Sequence, residues 1–294
     1  MDNIKKFIEK NKIKMGMSML IVVILLIFSG YNLLFSTNVE NIEWNVDYMK
    51  YNKLHSISKG KGQKIAIIDT GVSKFQEVEK NINLTKSKNE YDTNGHGTGI
   101  YSLIKGYKNE ITGIAPESKI ISIKVMEDDE SLKPETLKNA IKIAMEESVD
   151  IINLSLGSTK DNEEISNLIE EANKKNIIVI SSAGDYEQSF LLYPANLKNV
   201  ISVGGISANG RLLEQTNAPE HTTINAPGDD IKVINQKKEI FYTSGTSQAT
   251  AIISGYVALL RDTKKDINSA EVINLLNQIK NDRKTYFEML KKLT

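Results

Sequence analysis

The chain contains no cysteine among its 294 residues. That absence removes disulfide bridges, a thiolate nucleophile and cysteine-ligated zinc together, and it leaves the redox compartment open. Histidine is nearly as scarce. Only His55, His96 and His221 occur, without an HExxH or paired-histidine spacing, so a histidine-built metal centre is not expected. An excess of one charge is missing too, because 37 lysines and arginines balance 37 aspartates and glutamates. This balance gives no electrostatic reason for a nucleic-acid partner. Internal repeats and low-complexity tracts are also absent. What remains, 40% hydrophobic and 25% charged residues, is a globular composition with ample material for a core, in one large domain or two ordinary ones.

Residues 15–35, MGMSMLIVVILLIFSGYNLLF, carry no charge. As a helix rising 1.5 Å per residue, a run of this length crosses roughly 30 Å of hydrocarbon. Lys5, Lys6, Lys10, Lys12 and Lys14 precede it, whereas Glu40, Glu43 and Asp47 follow before any lysine. The positive-inside bias predicts a cytoplasmic N-terminus (1–14), a transmembrane signal anchor (15–35) and an extracytoplasmic remainder, in a single pass through the cell membrane. The end of the run and its first flanking residues, FSGYNLLFST, lack the paired small residues of a cleavage site, which favours an uncleaved anchor over a signal peptide. A buried core helix fits poorly, because the run is long, uniform and flanked by lysines on one side. Residues 36–62 are mixed and polar and end in Gly60-Lys61-Gly62, a turn signal; they read as a tether and N-terminal arm before a domain spanning 63–294.

From Lys64 onward, short isoleucine- and valine-rich runs alternate with helical patterns: KIAIID, KIISIKV, LKNAIKIAMEE, VDIINLSL, NEEISNLIEEANKK, NIIVISS and VISVGG. Apolar strands of four to eight residues separated by helices predict an α/β fold, a doubly wound parallel sheet with helices on both faces. SQATAIISGYVALLRD and SAEVINLLNQIKND then show apolar residues at helical spacing, the second with Ser269 as its expected cap.

Three local patterns carry chemistry. IAIIDTG places Asp69 at the C-terminal end of a strand, where open α/β sheets present functional groups, although an aspartate there also caps turns. NGHGTG sets His96 between Gly95 and Gly97 at a helix start, and the glycines allow the backbone to approach an imidazole closely; a solvated turn histidine is the plainer alternative. TSGTSQAT puts Ser247 where a glycine-containing turn enters an apolar helix. A serine there is an N-cap on its own evidence, or a nucleophile whose oxyanion meets backbone N–H groups at the positive helix end. Ser244, Thr246 and Thr250 compete with it, and position within GTSQA favours Ser247.

The order Asp, His, Ser along an α/β pattern is the one known from subtilisin. The chain resembles the subtilisin-like serine proteases, or subtilases, over about residues 62–265, through IAIIDTGV, NGHGTGI, GIAP, VDIINLSLG, NIIVISSAGD, YPANLKNVISVGG, NAPG and SGTSQAT. The resemblance implies a peptide or protein substrate, with Asp69 orienting His96, His96 serving as base and then acid, and Ser247 attacking the carbonyl. It implies that Ser155, Leu156 and Gly157 pair with an extended substrate backbone. It also implies that Leu192 lines the pocket for the residue before the cut, disfavouring a basic one there, with plain core packing as the alternative. No cofactor or metal is called for; the connection from His96 to GIAP is short, which puts the calcium loop of secreted relatives in doubt.

One departure stands out. The family's oxyanion-hole asparagine falls on Asp185 in SSAGD, so the implied pocket consists of the Ser247 backbone N–H and a carboxyl. Removal of that amide donor costs about a hundred- to a thousand-fold in turnover in subtilisin itself. A working enzyme would keep Asp185 protonated as the oxyanion forms. The resulting expectation is a membrane-anchored serine endopeptidase making limited cuts in secreted peptides, with removal of a peptide leader as one possibility. The alternative is a catalytically weak or inactive pseudoprotease that binds peptides or regulates a partner.

Overall fold

The computed structural model describes residues 43–127, 132–282 and 284–294. The expected cytoplasmic segment, the apolar run and the first part of the tether lie outside the described residues. Among the described residues no helix is long and apolar enough to cross a membrane. Residues from Glu43 onward form one compact unit.

Strands β1 (Lys64–Asp69), β2 (Lys80–Asn83), β3 (Lys119–Lys124), β4 (Ile151–Leu154), β5 (Ile178–Ser182), β6 (Ile201–Ile206) and β7 (Ile224–Pro227) form one sheet in the order β2-β3-β1-β4-β5-β6-β7. Every pairing in it is parallel; Ile65 is flanked by Ile120 and Ile151, for example. Strands β4, β5 and β6 are buried at every position, which is why they read as unbroken apolar runs without alternation. Chain direction across the sheet reverses between β1 and β4. In a doubly wound sheet the crevice at such a switch point, beyond the carboxyl ends of the strands, is where ligands bind.

One face is covered by helices α4 (Pro134–Glu146) and α5 (Glu163–Lys174), which turn Leu137, Ala140, Ile141 and Ala144, and Ile165, Ile169 and Ala172, into the core. Those spacings of three and four residues make a single apolar stripe. The other face carries α3 (His96–Lys105) and α6 (Thr246–Thr263). Helix α6 is buried on nearly all sides, its apolar residues running from Ala249 to Leu260. A short antiparallel hairpin, β8 (Ile231–Ile234) and β9 (Ile240–Thr243), leads into α6.

Two details differ from the sequence reading. Part of the expected arm forms helices α1 (Trp44–Met49) and α2 (Tyr51–His55), with Met49, Tyr51 and Leu54 almost wholly buried. Trp44 Nε1 donates to Asp229 O at 2.8 Å, and His55 Nε2 meets Ile114 O at 2.9 Å. Each helix is under two turns long and Lys50 between them has φ 60°, so no helical period could show in the sequence. In α7 (Ser269–Asp282) the cap is Asn268, not Ser269: Glu271 N donates to Asn268 Oδ1, and Asn268 N donates back to Glu271 Oε2. Ser269 Oγ instead donates to Asn173 Oδ1 on α5. The C-terminus closes with α8 (Tyr286–Lys291).

Candidate active site

Asp69 ends β1 and is fully buried beside the switch point. Its Oδ1 accepts from Thr70 N at 2.7 Å and lies 2.7 Å from His96 Nδ1. His96 is the first residue of α3, and two glycines place it there. Gly95, at φ 107°, takes the left-handed conformation that starts the helix. Gly97 lies so close to Gly71 that a methyl group on it would sit 2.1 Å from Gly71 O. Any side chain at 97 would push the helix start, and the imidazole with it, away from Asp69.

A residue that the sequence did not single out holds this corner together. Asp92 is 5% exposed. Its Oδ1 accepts from Thr70 Oγ1, Asn94 N and Gly95 N at 2.9 to 3.0 Å, and its Oδ2 accepts from Thr98 N at 2.9 Å and from Thr98 Oγ1. One carboxylate thereby ties the end of β1 to the turn and first helical turn around His96. The available signal was an aspartate opening an Asx-type turn, DTNG, which usually marks only a loop.

Because Asp69 accepts from Nδ1, the neutral imidazole leaves Nε2 unprotonated and free to take a proton. Burial pulls the His96 pKa down, but the Asp69 charge and hydrogen bond, with Asp92 and Asp185 further off, outweigh it and the net shift is upward. The side chain remains 32% exposed, so the ring is accessible from the cleft.

Ser247 is the second residue of α6. Its Oγ donates to Ser155 O at 3.3 Å, while Ser155 Oγ donates to Ser247 O at 3.1 Å. Beneath this pair, Asn153 Nδ2 donates to Ser155 Oγ at 3.1 Å and Ser254 Oγ donates to Asn153 Oδ1 at 2.8 Å. This buried polar ladder pins the start of α6 to the end of β4; its sequence signal was one asparagine inside the apolar run IINL. The Ser247 hydroxyl bonds that carbonyl and not the imidazole.

Asp185 does reach the N-terminus of α6. Its Oδ1 accepts from Thr246 N at 2.9 Å and its Oδ2 from Thr246 Oγ1 at 3.1 Å, so both oxygens act as acceptors toward the turn before Ser247. Burial raises its pKa, opposed by the two Thr246 hydrogen bonds and the His96 charge.

Leu192 is nearly buried, and methyl groups on Gly157 and Gly184 would meet it at 2.9 and 2.7 Å. It fills the gap between the segment after β4 and the SSAGD turn. A cavity of about 330 Å³ opens above it, lined by Gly157, Ser158, Thr159, Tyr186, Gln188 and Phe190 besides Leu192, with no charged side chain. Ser155 and Leu156 are buried at its edge and Gly157 is exposed. Among the described residues, no group of three or more histidine, aspartate or glutamate side chains could hold a metal ion.

A seven-stranded parallel sheet with an aspartate–histidine pair at its switch point and a serine entering the buried helix behind it defines the subtilisin-like class of α/β proteins. The chain belongs to the subtilase family of serine proteases, whose family model matches residues 60–288. Similar proteins include the "Major intracellular serine protease" of Bacillus subtilis, 33% identical over 226 residues covering 71% of each chain. Another is the "Thermostable alkaline protease" of Halalkalibacterium halodurans, 25% identical over 245 residues that cover 81% of this chain and 68% of that one. Among solved structures, the "Prenylagaramide maturation protease PagA" superposes with a TM-score of 0.70 at 26% identity, covering 83% of this chain and 98% of that one.

Proposed function

We propose that this protein is a membrane-anchored, extracytoplasmic serine endopeptidase using Asp69, His96 and Ser247. The observation that carries the reading is the 2.7 Å contact between His96 Nδ1 and the buried Asp69, with His96 lining one cavity with Gln248, the residue after Ser247. His96 Nε2 takes the Ser247 proton as Oγ bonds to the scissile carbonyl carbon, whose π pair moves onto oxygen. The Ser247 backbone N–H, at the positive end of α6, receives that oxyanion. Collapse breaks the C–N bond, His96 gives its proton to the leaving amine, and water repeats the sequence on the acyl-enzyme. Asp185 forms the wall of the oxyanion pocket, where its protonation state sets the local charge.

Ser155, Leu156 and Gly157 pair with the extended substrate, and the uncharged, aromatic-rimmed cavity over Leu192 takes an apolar or neutral side chain before the cut. The uncharged run at 15–35 with lysines before it supports the anchor and the outward orientation. Limited processing of secreted peptides is supported by the likeness to a maturation protease.

The second reading, an inactive binding protein, is favoured by one observation: a carboxylate stands in the oxyanion pocket. A serine-directed phosphonate probe separates the two. Labelling of the full chain in membranes, absent in Ser247→Ala, is the result expected of the enzyme; no labelling of either the parent or Asp185→Asn at any pH from 5 to 9 would establish the binding protein.

A further inference from the structure

Asp185 uses both oxygens as acceptors on Thr246, which leaves the oxyanion pocket without the side-chain donor its chemistry needs. A different amide lies close to the same turn. Gln248 follows Ser247 in the first turn of α6, is 6% exposed, and lines a cavity of about 260 Å³ together with His96. A methyl group on Gly245 would lie 3.0 Å from Gln248 Oε1 and 3.1 Å from Asp185 Oδ2, so amide and carboxyl both border the space beside Gly245 in the turn before Ser247. Among the described residues the Gln248 amide has no hydrogen-bond partner.

The two ends of a glutamine amide interchange by a half-turn, and the surroundings decide which faces inward. With Oε1 inward, the amide oxygen and a carboxylate oxygen lie about the same point beside Gly245. With Nε2 inward, an N–H takes the place of the amide oxygen and points into the pocket where negative charge develops. Electrostatics favours the second.

We infer that the Gln248 side-chain amide is the second oxyanion donor of this protein, in place of the asparagine its relatives carry where it has Asp185. Gln248 Nε2 and the Ser247 backbone N–H together hold the oxygen that receives the carbonyl π pair, and Asp185 holds the Thr246 turn. This assignment rests on the endopeptidase reading.

The test is a double-mutant cycle in the full chain, with Gln248→Met as a variant of similar volume and Gln248→Glu as an isosteric acceptor. Expected in the parent background is a fall in kcat of about ten- to a hundred-fold with KM within about two-fold. In the Asp185→Asn background, where a second amide is present, Gln248→Met should cost no more than about three-fold. Thermal melts of each variant establish that it is folded. Equal losses in both backgrounds, a change confined to KM, or Gln248→Glu as active as the parent would overturn the assignment alone, provided turnover depends on Ser247. Absence of Ser247-dependent turnover in every background overturns the endopeptidase reading and this assignment with it.

Discussion

Asp185→Asn is the perturbation whose outcome is hardest to obtain for the wrong reason, because the geometry predicts a faster enzyme. An ionised carboxylate about 5 Å from a developing oxyanion, at an effective dielectric of about 20, opposes it by roughly 3 kcal/mol. An amide in its place removes that repulsion and supplies a donor of the kind worth about 3 to 4 kcal/mol in subtilisin. Solvent in the cleft reduces the sum, and burial holds the Asp185 pKa above its ordinary value. A gain in kcat of about a hundred-fold at neutral pH is the resulting expectation. The structural cost is small. The carbonyl oxygen of the introduced amide can still accept from Thr246 N, and Thr246 Oγ1, which already accepts from Gly184 N at 3.3 Å, can turn to accept from the new N–H. The assay is the second-order rate of phosphonate labelling and of hydrolysis of a short peptide, followed from pH 5 to 9. The Asp185 charge is one of those raising the His96 pKa, so the acid limb of the profile should also move to lower pH in the variant. A variant that labels more slowly than the parent, or whose acid limb moves upward, refutes the reasoning.

Gly97→Ala should abolish labelling, because its methyl group would sit 2.1 Å from Gly71 O and displace His96; a loss of stability of about 1 to 3 kcal/mol in denaturant unfolding should accompany it. Asp92→Ala leaves Thr98 N and Gly95 N without their buried acceptor, so calorimetry should show destabilisation of about 2 to 4 kcal/mol together with a large fall in kcat. The raised His96 pKa stabilises the folded state fully below the unfolded value near 6.5, and that contribution is lost as pH rises through the raised folded value. In the Ser247→Ala background the melting temperature should therefore fall across that window, and His96→Gln should remove the dependence. Leu54→Ala should cost about 2 to 5 kcal/mol by denaturant unfolding if the N-terminal arm is part of the core, and almost nothing if it is only a tether.

The sheet was legible because strands buried on both faces must be written as continuous apolar runs, and IAIID, IINL and IIVISS are such runs. Helices α4 and α5 were legible through their three- and four-residue spacing. Asp69, His96 and Ser247 were legible as candidates because each sits at the edge of an element within two residues of glycine. Asp92 and Asn153 escaped notice, since a polar residue in a turn or inside a strand has no periodic signature and its worth depends on donors many residues away. The arm escaped for a related reason: helices of five and six residues bury Met49, Tyr51 and Leu54 without completing a repeat.

Local chemistry thus determined by itself what the chain could carry: its strands, its amphipathic helices, a candidate triad and the substitution of Asp185 for an amide. Only the tertiary structure decided what that substitution faces. Whether a carboxyl at 185 meets water, an imidazole or the turn before Ser247 depends on how α6 docks against the carboxyl ends of β4 and β5. The docked structure turns both its oxygens to Thr246 and brings Gln248 beside it. Charge, hydrogen bonding and burial act over a few ångströms in space, and residues 62 apart in sequence become neighbours only when the fold closes.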